Sequence, residues 1–510
     1  MKICVLKLKN FRGYKDEVVV DFSDLTAFVG KNDVGKSTIL DALDILFNDG
    51  KGTAKLDKDD INKYAALEDD MEIRISACFK DLPDKIIIDA TNETTLQSEY
   101  LLNSNGQLEI IKKYPKAGAA KVFVNAFHPT NPECSDLLAK KNAELKSLID
   151  KQGIQCADKS INSVMRTAIW NKHSDDLQLE EVEIDITKGD TKPIYDKIMN
   201  FLPLYTLFQS DRKNSDSDTE VQDPLQKAAE QILSDADLKL KLSEIANEVE
   251  AKLKEVSDRT LDKLREMNPD VANSLNPVIP HSDSLKWTDV FKKVSISGDD
   301  DIPINKRGSG VKRLILLNFF RAEAERRRLE RNSASIIYAI EEPETSQHTE
   351  HKKMMIQAFL SLSTVPNTQI IITTHSASLV KELAFENLRL ITVEDSLRAI
   401  TPVIPSQLPY PSLNEVNYLA FSDVSEEYHI ELYGYLEAEG HLSAFKSGKP
   451  TINYVKILKD GSTKNDQVVL TEYIRHQIHH PENTHNTRYT TAQLEESICL
   501  MRDFISLNCP

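Results

Sequence analysis

Cysteine is scarce: six of 510 residues, at positions 4, 78, 134, 156, 499 and 509, with no two in C-x-x-C spacing. That excludes a disulfide framework and a zinc cluster, and reduced thiols are expected. Long apolar runs are missing too. No stretch reaches the roughly 18 residues that a bilayer span needs. Lys7 and Lys9 interrupt the N-terminal apolar pattern, so no signal peptide is expected, and a cytoplasmic location is. Net positive charge is also absent. At −17 the whole molecule does not attract polyanions, so any nucleic-acid contact must be a local patch. The most arginine-rich stretch, RAEAERRRLERN at 321–332, is interrupted by Glu323, Glu325 and Glu330. It reads as a solvated helix face laced with near-neighbour ion pairs.

What is present is an ordinary soluble globular composition, 40% hydrophobic and 28% charged. A chain of 510 residues is too long for one core and implies about two to four domains.

Residues 25–29, LTAFV, read as a short buried strand. Gly30, Lys31, Asn32, Asp33, Val34, Gly35, Lys36, Ser37 and Thr38 follow, matching G-x-x-x-x-G-K-[ST] without a mismatch, and ILDALDILF continues with helical spacing. Each residue type has a chemical reason. Glycines let backbone N–H groups wrap phosphate oxygens, and a helix N-terminus favours anions. Lys36 is placed to reach β- and γ-phosphates, and Ser37 to ligate Mg²⁺. ATP and Mg²⁺ are therefore the expected cofactors.

The second half carries the groups that such a loop needs. SIIYAIEEPE (335–344) reads as an apolar strand ending in Glu341 and Glu342. Side chains alternate along a strand, so these carboxylates are expected to point apart and divide the work. Glu341 is assigned to the Mg²⁺ shell and Glu342 to the general base that polarises water. TQIIITTHSASLV (368–380) reads as a strand ending at His375, beside the Glu341 strand and at the edge where ligands bind. There His375 is placed to donate to a γ-phosphate. NKRGSGVKRLILLNFF begins at 305; its Ser309-Gly310 step offers backbone N–H groups at a helix start to another phosphate.

Taken in order, LKLKNFRGY, FVGKNDVGKSTILDAL, RGSGVKR, IEEPE and ITTHS resemble the ABC-type ATPases of the SMC, RecF and OLD lineage, over about 1–90 and 290–400. The resemblance implies an α/β P-loop head that dimerises with two ATP molecules sandwiched. Ser309 and Gly310 of one subunit would cap the nucleotide on the other, and Arg12 would lie near the phosphates. Two departures stand out: Glu341 replaces the aspartate of many relatives, and GSGVK is a loose signature.

Four segments are expected: the N-terminal half of the head (1–90), a mixed, mainly helical insertion (91–290), the C-terminal half of the head (291–400) and a helical C-terminal domain (401–510). Within the insertion KVFVNAF (121–127) is strand-like. Over 224–266, Leu242, Ile245, Val249, Leu253 and Val256 recur at steps of three and four, giving one apolar helix stripe. That helix serves either dimerisation and partner binding or a structural cap. DRKNSDSDTEVQD (211–223) reads as a polar loop.

Four prolines in TPVIPSQLPYPS (401–412) mark a boundary. Beyond it, the V-E-G turn and D-x-D pair of a Toprim nuclease are both missing. YIRHQIHHPEN (473–483) instead carries Arg475 and His480 in the spacing of the HEPN RNase motif, R-[NDH]-x-x-x-H. In such a site arginine would stabilise phosphate while histidine moves protons. Residues five apart on a helix lie about 140° around its axis, so a shared face requires the helix to end between them. RNase chemistry, a metal site and a docking surface all remain open here.

A compact OLD-like ATPase with a non-Toprim helical tail is similar to the ATPase subunits of Septu-type antiphage systems, including retron-linked ones. That likeness implies a homodimer or higher homo-oligomer holding a separate HNH nuclease. In retron-linked versions it implies a reverse transcriptase with its RNA–DNA hybrid. Three functions follow: a nucleotide-gated regulator of a partner nuclease, a self-contained effector with an RNase tail, or a RecF-like DNA-repair ATPase. Nucleic acid is regulator or target in each, and no membrane is involved.

Overall fold

In KICVLKLK, Ile3, Leu6 and Leu8 are fully buried: Leu6 and Leu8 alternate as a strand requires, and a register shift between Ile3 and Val5 offsets Ile3 in β1 (Lys2–Lys9). The computed structural model describes residues 1–31, 34–49, 52–89, 92–186, 191–209, 232–233, 235–267, 335–345, 349–394, 397–403, 408–458 and 461–508. Residues 1–210 and 335–510 form one unit, and 211–334 a second.

The first unit holds two six-stranded sheets. After β1 come β2 (Val18–Asp21), β3 (Leu25–Val29), β4 (Glu72–Lys80), β5 (Ile86–Asp89), β6 (Asn92–Thr94), β7 (Leu108–Pro115), β8 (Lys121–Pro129) and β9 (Leu179–Asp185). Then follow β10 (Leu204–Phe208), β11 (Ile336–Glu341), β12 (Thr368–Thr374), β13 (Leu388–Glu394) and β14 (Leu397–Pro402). One sheet is antiparallel, ordered β2-β1-β4-β7-β8-β9; the other runs β10-β11-β12-β3-β13-β14 and is parallel except for the β13–β14 hairpin. In the second sheet β3, β11 and β12 are almost wholly buried, as their largely apolar, non-alternating sequences suit in a sheet covered on both faces. The α/β head expected from the motifs is therefore present.

The segment boundaries differ from expectation. Residues 108–185 supply β7, β8 and β9 to the same sheet as β1 and β4, and Leu204–Phe208 joins the parallel sheet beside β11. Most of the region read as an insertion from residue 91 is thus woven into the head by backbone pairing. The second unit begins near 211, and its described element is the helix Ala236–Met267. Ile245 and Val249 on its expected apolar stripe are 52% and 49% exposed. The loop at 211–223, the arginine-rich stretch and the Ser309-Gly310 signature lie outside the described residues.

The C-terminal region has its own core, built around Tyr428, Leu432, Leu436, Ile474, Ile498 and Met501. Its helices are Leu413–Phe421, Glu426–Ala438, Leu442–Lys446, Leu470–His479 and Thr491–Asn508. It is not purely helical. Strands β15 (Thr451–Ile457) and β16 (Thr463–Val469) form an antiparallel hairpin.

Candidate active site

Parallel pairing sets the position of every group at one sheet edge. Glu341 is in register with Thr373 on β12, and Thr374 with Val29 on β3, so the loop after β3, the end of β11 and the end of β12 meet at the same carboxyl edge. Helix Lys36–Asn48 starts directly after the loop, with Gly35 as its N-cap at φ 106°. That left-handed backbone favours glycine. No side chain caps this helix start, so its amides keep the capacity to hold an anion. Asn32 and Asp33 lie outside the described residues; Gly30, Lys31, Val34 and Thr38 belong to the loop and the first turn of the helix.

Lys36 is buried, and its ammonium donates to the carbonyl oxygens of Gly30 (2.9 Å) and Lys31 (2.7 Å), curled over its own loop. The Ser37 hydroxyl donates to Glu341 Oε1. A hydroxyl beside a carboxylate is the oxygen donor set that Mg²⁺ takes in such sites, its other ligands coming from water and phosphate. Among the described residues no group of three His, Cys, Asp or Glu side chains converges as a metal site.

Glu342 comes after the strand and not on it. Its backbone turns to φ 41° while its N–H donates to Thr373 O (3.0 Å), so the two glutamates separate through this turn and not through strand alternation. Glu342 Oε1 lies 3.1 Å from His375 Nδ1. Sequence reasoning missed Glu344, the last residue of IEEPE. It is buried, and its Oε1 accepts from Thr374 Oγ1 (2.6 Å) and from the His375 backbone N–H (3.0 Å), fixing the segment that carries His375.

Arg12 reaches the same cavity, a space of 460 Å³ lined also by Gly13, Gly35, Lys36, Ser37, Thr38, Glu342 and Arg398. Its φ of 48° is left-handed, and Asn62 Nδ2 donates to its carbonyl (2.6 Å), which pins the FRGY turn. Its guanidinium donates to Asp60 (2.7 Å) and Asp41 (2.5 Å). Burial disfavours the charge, but the two carboxylates outweigh it and raise the Arg12 pKa.

In the tail, Arg475 and His480 have different partners. Arg475 stacks over Tyr433 at 4.6 Å and faces Glu437 at 3.5 Å. His480 lies just past the end of helix Leu470–His479, with Nδ1 3.2 Å from Glu482. His476 stacks on Tyr454, ring centroids 4.9 Å apart.

No helix among the described residues is long and apolar enough to cross a membrane. No curated protein matches the chain. Among solved structures it is similar to an SMC head bound to the C-winged helix domain of ScpA, at 14% identity over 79% of this chain and 98% of that one, with a TM-score of 0.36. The SMC head domain from Thermotoga maritima gives 14% identity, 79% and 100% coverage and a TM-score of 0.34. An Smc head with an extended coiled coil, bound to the C-terminal domain of ScpA and derived from Pyrococcus furiosus, gives 16%, 78%, 95% and 0.35. All three TM-scores lie under 0.5, and the fold assignment rests on sheet order and loop geometry. A family model described as an AAA ATPase domain matches residues 1–380, which takes in the phosphate loop, both glutamates and His375. With most of its length matched in this way, the chain belongs to the AAA ATPase domain family.

Proposed function

We propose that the chain is a nucleotide-gated regulator of the ABC type: ATP binding closes a dimer of heads, and the state of that dimer is passed through the C-terminal region to a partner nuclease. In this reading Lys36 neutralises the β- and γ-phosphates, Glu342 takes a proton from the attacking water, and His375 donates to the γ-phosphate. Ser37 and Glu341 hold Mg²⁺, which when bound neutralises phosphate charge. Ser309 and Gly310 supply the contact in trans.

One observation carries the regulatory part. Helix Ala377–Val380 begins two residues after His375, and the buried Asn417 of helix Leu413–Phe421 donates to the Ala377 carbonyl at 3.3 Å. A shift of the histidine segment therefore meets the C-terminal region directly. A separate HNH nuclease in an antiphage complex, with a reverse transcriptase and its hybrid in retron-linked versions, is the partner set that fits the motif layout. Different partners for Arg475 and His480 favour docking over RNA cleavage in the tail. A net charge of −17 weighs against a DNA-repair ATPase that binds DNA broadly.

Two assays on the purified protein test this. Light scattering with ATP and Mg²⁺ is expected to show self-association in wild type and none in Lys36→Ala. Incubation with total RNA is expected to leave it intact in wild type and in Arg475→Ala/His480→Ala alike. Cleavage lost only in the double variant would replace the regulator with a self-contained RNase.

A further inference from the structure

Arg398 occupies the nucleotide cavity without belonging to any of the motifs above. It sits on β14, opposite Val393 of β13, and its guanidinium packs against the FRGY turn. A Cβ on Gly13 would fall 0.6 Å from Arg398 Nη1 and 1.9 Å from Cζ. Residue 13 must therefore lack a side chain for the guanidinium to lie where it does. On the loop side, a Cβ on Gly35 would meet Arg398 Cδ at 3.3 Å and Nε at 3.4 Å. Tyr14 closes the seat: Arg398 Cζ lies 5.8 Å from its ring centroid, and its hydroxyl donates to Gly35 O at 3.2 Å. The arginine is thus held between two glycines and an aromatic ring, on the wall of the cavity that contains Lys36 and Ser37.

Sheet order gives its side of the site. Glu341, Glu342 and His375 arrive on β11 and β12, on one flank of β3, whereas Arg398 arrives by β13–β14 on the other flank. The hydrolytic groups mark the γ-phosphate end. Arg398 therefore faces the part of the nucleotide nearer the nucleoside. Arg12, the other arginine lining this cavity, has its guanidinium between two carboxylates, Asp41 and Asp60. A planar guanidinium suits two phosphate oxygens at once.

We propose that Arg398 binds the α/β-diphosphate of the nucleotide, across the loop from Lys36, and so selects nucleoside di- and triphosphates as a class. This rests on the reading of the cavity as a nucleotide site. Calorimetric titration of ATP and ADP with Mg²⁺ tests it on wild type, Arg398→Ala, Arg398→Lys, Gly13→Ala and Lys36→Ala. Arg398→Ala is expected to weaken ATP and ADP by the same factor, about tenfold or more, with lysine restoring part of the loss. Gly13→Ala should reproduce the loss with the arginine still present, because its methyl group displaces the guanidinium. Unchanged melting of the nucleotide-free variants separates this from unfolding; if Arg398→Ala melts early, Gly13→Ala and Arg398→Lys decide. Wild-type affinity in the Arg398 and Gly13 variants, with binding lost in Lys36→Ala, overturns the role of Arg398 alone. Loss for ATP but not ADP overturns the diphosphate assignment, and a wild type that binds neither nucleotide overturns the nucleotide reading itself.

Discussion

His375 Nδ1 lies 3.1 Å from Glu342 Oε1, which places the two groups proposed for the γ-phosphate end within hydrogen-bonding distance of each other. Glu342→Gln keeps the volume and most hydrogen bonds but removes the proposed base. Phosphate release is expected to fall by about 10²–10⁴-fold, while ATP affinity stays near wild type. Equal loss of binding and turnover would mean that Glu342 holds the nucleotide and does not activate water.

Glu344 acts on the same group from behind. It fixes the His375 amide and the Thr374 hydroxyl from a buried position, so Glu344→Ala leaves both donors without their acceptor. A stability loss of about 1–3 kcal/mol is expected, together with a fall in kcat that exceeds any change in KM. Glu344→Gln, which keeps one acceptor oxygen, should recover much of the stability. Steady-state kinetics beside chemical denaturation would settle the point, and an unchanged kcat in the alanine variant would remove Glu344 from the positioning role.

Asn417 is the proposed route from the His375 segment to the C-terminal region. Its Nδ2 bonds Ala377 O, while its buried Oδ1 has no hydrogen-bond partner. Leucine at this position removes one net hydrogen bond, worth about 1 kcal/mol, and also one unsatisfied acceptor. Stability should therefore change little. Hydrogen exchange over residues 413–421 is expected to respond to ATP in wild type and to stop responding in Asn417→Leu. A persisting response would show that the signal travels by another route.

The C-terminal core should be acid-sensitive. Ser497 donates to Thr471 Oγ1 (2.8 Å), so its oxygen accepts from His429 Nε2–H at 3.0 Å. Burial, with a smaller push from Arg475, holds the His429 pKa down to about 4 against 6.5 for the ordinary group. Between those values the unfolded chain binds the proton and the folded chain does not. Stability is then full above pH 6.5 and falls as pH drops toward 4, by a limit on the order of 3 kcal/mol. Denaturation across pH 4–7 is expected to show this slope in wild type and a flatter one in His429→Gln.

The site was legible where its chemistry is local. FVGKNDVGKST, IEEPE and ITTHS each begin on a strand and reach their functional groups within a few residues, and the parallel sheet only had to align the strand ends. The antiparallel sheet was not legible, because β7 joins it only by pairing with β4 upstream, and β8 and then β9 add to that edge in turn. β16 was missed for a different reason: TKNDQVV is polar and mostly exposed, so only pairing with β15 makes it a strand. Arg398 gave no signal at all. An arginine in LRAIT becomes a site residue only when Gly13 leaves room for it.

The central strand of the parallel sheet, β3, is flanked by β12 and β13, and Ser37 meets Glu341 across 304 positions of chain. On a ribosome adding about 5–20 residues per second, that gap is roughly 15–60 s. During this interval LTAFV, buried in the finished protein, has no neighbour to pair with, and the phosphate loop has no glutamate to work with. The nascent protein therefore lacks a complete phosphate site until well into the second half of the chain. That strand must meanwhile be sheltered from aggregation.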